Sequence, residues 1–196
     1  MPKNWQQTFS GRVLDPRNPD ATSVTIEDVA HALAMKCRFA GQCTHFYSVA
    51  EHCVRGSHIV PSEYALAFLL HELDEVFLPD VPGPIKASVY FDDGQAMISW
   101  KTLAARHERA ILSALNLPAL ETHAPEVKRA DLQMLAWEAR DLMSAPPKSW
   151  ELTESPPRHA PAMHPWSPTY AEFRFLDAWD TLRGGGVHTK HCEVRG

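Results

Sequence analysis

The chain has 196 residues, 44% of them hydrophobic and 22% charged, with 19 Lys+Arg against 24 Asp+Glu and a formal net charge of -5. That length suits one ordinary domain able to bury a core without disulfides, and that charge argues against an extended nucleic-acid face while leaving small anionic ligands open. No apolar run approaches the ~20 residues of a membrane span, and Met1 to Gln7 shows no basic segment followed by an apolar one, so no membrane association and a cytoplasmic setting are expected.

From Thr25 to about Phe39, apolar residues Ile26, Val29, Ala30, Leu33 and Ala34 recur at helical spacing, with Thr25 as N-cap and Glu27 and Asp28 in the first turn. A second helix is predicted over Phe46 to Ile59, weakened near its end by Gly56. A third runs from Ser62 to Val76 and is apolar on every face through Ala65 to Leu70, the pattern of a central buried helix. Pro79, Pro82, Gly83 and Pro84 then force a tight loop holding Asp80 and leading to Lys86.

A fourth helix is expected from Asp92 or Asp93 to Leu115, a fifth from Pro125 to about Met143, and a last one from Pro168 to Leu182. Seven prolines from 146 to 168 mark residues 145–168 as an irregular wrapping segment, and 184–196 reads as a flexible tail. No strand signal of comparable strength appears. The expected fold is therefore all-α, an irregular helical bundle forming a single domain over 1–196.

Cysteines 37, 43, 53 and 192 match neither a CxxC pair nor a zinc-finger array and read as reduced, packed thiols. His107, His159, His164, His188 and His191 read as surface or tail residues, and Trp100, Trp137 and Trp179 as core or interface anchors.

The stretch 72–80 carries Glu72, Asp74, Glu75 and Asp80 with no basic residue among them. Attached to a helix that must be buried, several unpaired carboxylates would cost several kcal/mol, and a bound cation relieves that cost. On a continuous helix His71 and Glu75 share a face with Glu72 beside it, and imidazole with carboxylate suits divalent metals. His52 and Asp131 each interrupt an apolar stripe elsewhere in the chain.

The order His52, His71-Glu72, Glu75, Asp80, Asp131 resembles the HD-domain phosphohydrolase superfamily, whose ligands run His…His-Asp…Asp. Arg38-Phe39-x-Gly41, Phe46 to His52, and Leu69-Leu70-His71-Glu72-x-x-Glu75…Asp80-x-Pro82-x-Pro84-x-Lys86 are similar to the 5′-deoxynucleotidases and phage-type dATP triphosphohydrolases. Phe9 to Arg12, Asp15-Pro16, Ile26 to His31 and Trp166-Ser167-Pro168 extend the likeness over about residues 9–182.

The resemblance implies an HD-type helical bundle with a divalent metal (Co, Mn, Zn, Mg, Fe or Ni) on His52, His71, Glu72 and Asp131. It implies Glu75 as the group that orients or deprotonates the nucleophile, Asp80 assisting, and Arg38, Phe39, Lys86 and Arg12 as substrate contacts. The implied substrate is a small-molecule nucleotide rather than a nucleic acid. It would be acted on by a homo-oligomer in the cytoplasm, the host's if phage-encoded. Glu72 departs from the family's Asp, and Phe39 from the Trp that often packs the deoxyribose. Three outcomes stay open: triphosphate release from a dATP-like substrate, 5′-deoxynucleotidase action on monophosphates, and a degenerate domain that binds nucleotide without turnover.

Overall fold

The computed structural model describes residues 5–184, so most of the expected tail, and with it His188, His191 and Cys192, lies outside the described residues. Within them the fold is mostly helical: α1 (Ile26–Ala34), α2 (Val49–Ser57), α3 (Ala65–Leu69), α4 (Gly83–Lys86), α5 (Trp100–Ala114), α6 (Pro125–Leu142) and α7 (Pro168–Leu182). Two antiparallel hairpins, β1 (Gln6–Gln7) with β2 (Val13–Leu14) and β3 (Tyr90–Asp92) with β4 (Met97–Ser99), correct the all-α expectation. No described helix is long and apolar enough to cross a membrane.

The second hairpin replaces the predicted start of the fourth helix, and the reason is local. Asp92 and Asp93 do not cap a helix; their carboxylates accept bonds from the backbone N–H groups of Gly94, Gln95 and Ala96, and Gly94 takes φ +90. These side chains close a turn between two strands, and Ser99 becomes the N-cap of α5 through Thr102 N–H. Thr25 caps the start of α1 as predicted, in a capping box with Asp28, but the helix ends at Ala34 rather than near Phe39.

Helices α1, α2 and α3 pack around α7, burying Val29, Leu33, Val49, Cys53, Leu69 and Phe175. Tyr47, Phe68, Val127, Met134 and Trp137 form a second apolar cluster between α3 and α6. Trp100 and Trp137 are buried and Trp179 packs at the core edge, as anchors should. His107 is a correction: it is wholly buried, its Nε2 2.9 Å from Pro16 O, so it ties the N-terminal loop to α5 rather than facing solvent.

The predicted third helix is broken where the chemistry sits. It runs as a 3-10 turn (Ser62–Tyr64), the short α3, and a second 3-10 turn (Leu73–Val76). In a continuous helix the Phe68 carbonyl would accept from Glu72 N–H. Here it accepts instead from His71, through both Nδ1 at 2.6 Å and the backbone N–H at 3.3 Å. The side chain takes the place of the next helical bond, which turns His71 and Glu72 out of helical register.

Gly56 has a packing role that its helix propensity hides. A Cβ at this position would lie 1.9 Å from Phe68 Cε1, so α2 and α3 cross with no room for a methyl group. Gly56→Ala is expected to destabilise the protein by about 1–3 kcal/mol, a melting-temperature loss of about 3–10 °C by thermal denaturation. An unchanged melting temperature would contradict the close approach. The Phe68 ring stands 4.3 Å from the His71 ring centroid, so the same change presses on the site described next.

Candidate metal centre

Helix α2 begins at Ser48, whose hydroxyl accepts from Glu51 N–H, and its fourth residue His52 points into the interior, fully buried. The unwound segment after α3 delivers His71 and Glu72, and α6 delivers Asp131. One donor atom from each of the four lies within 4.8 Å of every other. Three distant segments thus converge as expected, and Glu72 reaches the group despite its extra methylene.

The imidazoles carry the most direct information. His71 Nδ1 is 2.6 Å from a carbonyl that can only accept, so Nδ1 holds the proton. His52 Nδ1 is 2.6 Å from Glu138 Oε1. Burial pushes the Glu138 carboxyl up, but Arg38 and His52 outweigh it and hold it below its ordinary value, so it too accepts. With Nδ1 protonated on both rings, the two Nε2 atoms are left facing each other across 3.2 Å.

Nothing but a proton or a cation makes that juxtaposition favourable. Two nitrogens bound at about 2.0–2.1 Å to a tetrahedral ion lie about 3.3–3.4 Å apart, close to the spacing seen. Asp131 Oδ1 lies 3.5 Å from His52 Nε2 and 3.8 Å from His71 Nε2, and Glu72 Oε1 lies 3.6 Å from His71 Nε2. Two imidazoles and two carboxylates fit a divalent ion, and the donor set does not distinguish among them.

The charges around the cluster are strongly coupled. Burial opposes the charged form of His71, yet Glu72, Asp131 and Cys53 outweigh it and hold the imidazole well above its usual range. Burial likewise raises Asp131 and Glu72, but His71 and the other neighbouring cations leave both carboxyls below theirs. Positive charge on the two imidazoles, or a cation bound between them, balances the two carboxylates.

A cavity of about 640 Å³ opens beside the cluster, lined by Glu72, Asp131, Glu75, Asp80, Lys86 and Arg38 among others. Burial, with Glu72 and Asp80 nearby, raises the Glu75 carboxyl to about 8. Lys86 Nζ stands 3.8 Å from Glu75 Oε1. Asp80 Oδ2 accepts from Ala40 N–H at 3.2 Å, tying the proline loop to the Phe39–Gly41 turn. Phe39 also lines the cavity.

Arg38 reaches the cavity, but its guanidinium is engaged by two carboxylates, Glu72 Oε1 and Glu138 Oε2, each at 3.2 Å. Arg12 is not brought there: its Nη1 donates to Thr22 O on an exposed loop, and it is absent from the cavity lining. The N-terminal loop is instead fastened to α1 by Ser10 on Asp28, which holds Arg12 away.

Glu138 was not anticipated from the sequence, although a signal existed. It lies seven residues after Asp131 on α6, two turns along one face. Trp150 and Leu152, from the proline-rich segment, line the cavity mouth as well. No helix or strand interrupts that segment between Leu142 and Pro168. It is pinned by Trp137 Nε1 on Pro161 O and by Arg55 on His164 O, with His159 and His164 exposed as expected.

No family model matches the chain. It is 34% identical over 179 residues to the uncharacterized protein YfdR of Escherichia coli, covering 90% of this chain and 94% of that one. It is 36% identical over 151 residues to an uncharacterized protein of Rhodobacter capsulatus, covering 72% and 74% respectively.

Proposed function

We propose that this chain, which belongs to the family of the Escherichia coli protein YfdR, is a metal-dependent phosphohydrolase of the HD type that cleaves deoxynucleotides. The observation that carries the reading is the pair of buried imidazoles with facing Nε2 atoms, flanked by Glu72 and Asp131. The reading places the enzyme in the cytoplasm as a homo-oligomer.

Phosphoester cleavage needs an activated water, neutralised phosphoryl oxygens and support for the leaving oxygen. A divalent cation held by His52, His71, Glu72 and Asp131 would polarise a phosphoryl oxygen and make water more acidic. Glu75, held near neutrality at the cavity wall, is suited to accept a proton from the attacking water and return it to the leaving group. Lys86 stands at the mouth, where its ammonium can pair with phosphate. Asp80 positions the turn carrying Phe39. Arg38 holds Glu72 and Glu138 in place from beneath.

A triphosphate, with dATP the specific candidate, is the preferred substrate by the resemblance; a monophosphate is the alternative. The test strips the protein with chelator, adds back manganese, cobalt or zinc, and separates products by chromatography. Metal-dependent release of tripolyphosphate and nucleoside supports the first reading, and orthophosphate with nucleoside the second. Binding of nucleotide without release from any deoxynucleotide under any metal would overturn hydrolysis and favour a degenerate binding domain.

A further inference from the structure

The cavity lining combines polar Glu72, Asp131 and Lys86 with apolar Phe39, Trp150, Leu152 and Met143. A sugar phosphate would satisfy the polar groups and leave the apolar ones wet. The rings of Phe39 and Trp150 come from segments more than a hundred residues apart and meet edge-on, with centroids 6.1 Å apart and planes at 62°. Trp150 is 39% exposed, a large apolar face left open beside a polar site.

Phe39 itself, and the residue after Trp150, adopt uncommon backbone. Among the described residues four non-glycine residues have positive φ, and three flank this mouth: Phe39 at 56°, Ala40 at 49° and Glu151 at 49°. For a bulky residue such as Phe39, left-handed backbone costs on the order of 1–3 kcal/mol and persists only where the surroundings impose it. Here the bond from Ala40 N–H to Asp80 imposes it, and the Arg38 guanidinium stands 5.5 Å over the Phe39 ring. Gln42 adds an amide that can both donate and accept at the edge of a seated ring.

We propose that Phe39 and Trp150 form an aromatic clamp that takes the base of the substrate, with Trp150 making the proline-rich segment part of the binding site. This rests on the phosphohydrolase reading for the role of the polar groups. Stacking on an aromatic side chain is sequence-tolerant and worth about 1–3 kcal/mol per base, so the clamp selects for an aromatic heterocycle more than for any one base.

The test uses the full chain and five probes: deoxyadenosine, deoxyribose 5-phosphate, deoxyribose 5-triphosphate, dAMP and dATP. Deoxyadenosine is expected to quench tryptophan emission in the wild type and not in Trp150→Ala, whereas deoxyribose 5-phosphate quenches neither. Trp150→Ala should also lower the ratio of kcat/KM for whichever of dATP and dAMP is turned over to that for the deoxyribose phosphate of the same length by about 5- to 150-fold. Trp150→Phe should restore part of that ratio. Equal quenching of wild type and Trp150→Ala by deoxyadenosine, or an unchanged ratio, would overturn the clamp. Trp150-dependent quenching without release of orthophosphate or tripolyphosphate from dATP, dAMP or any other probe would uphold the clamp and overturn hydrolysis, so the two failures are separable.

Discussion

His71→Asn is expected to lose the bound cation and to lower deoxynucleotide hydrolysis by about 10³-fold, the equivalent of several kcal/mol of charge stabilisation. The substitution is chosen for what it keeps. An Asn amide nitrogen can occupy the place of Nδ1 and still donate to the Phe68 carbonyl, the bond that breaks the helix after α3. What disappears is Nε2, one of the two nitrogens facing each other at 3.2 Å. Metal content by elemental analysis, turnover by phosphate release and circular dichroism together decide the matter. A folded variant that keeps one equivalent of metal and full activity would contradict the assignment of His71.

Glu138→Ala is expected to cost about 3–5 kcal/mol of stability, because removal of one partner leaves the Arg38 guanidinium charged in the interior. Glu138 is wholly buried between Arg38 and His52, ion-paired to the first and hydrogen-bonded to the second. Glu138→Gln keeps the volume but surrenders the charge that fixes the His52 tautomer, and about a 10- to 100-fold loss of metal affinity is expected. Burial opposes ionisation of Glu138, but Arg38 and His52 prevail and depress its folded value. Its contribution to stability is therefore present above the ordinary carboxylate range and lost as pH falls through the depressed folded value. Urea unfolding of the three proteins at neutral and acid pH measures both effects. Equal stability of wild type and Glu138→Ala would show that the buried network contributes nothing.

The long periodic helices were legible in the residues because burial of one face writes itself at helical spacing, as in α1, α6 and α7. His52 and Asp131 were legible as polar interruptions of apolar stripes, and their grouping with His71 and Glu72 only through the resemblance to the HD superfamily. What the sequence concealed were competitions between side chain and backbone. His71 takes the Phe68 carbonyl and unwinds a segment whose composition is wholly helical. Asp92 and Asp93 close a hairpin turn where the start of a helix is expected. Trp150 gave no periodic signal because its segment has no regular structure, and its place at the cavity follows from contacts far along the chain.

Crystals of the full chain grown with manganese and measured at its absorption edge test the metal centre most directly. The account predicts one strong anomalous peak about 2.0–2.4 Å from Nε2 of both His52 and His71, with Glu72 and Asp131 oxygens completing the shell. A protonated His52–His71 hydrogen bond with no peak between the rings would contradict it.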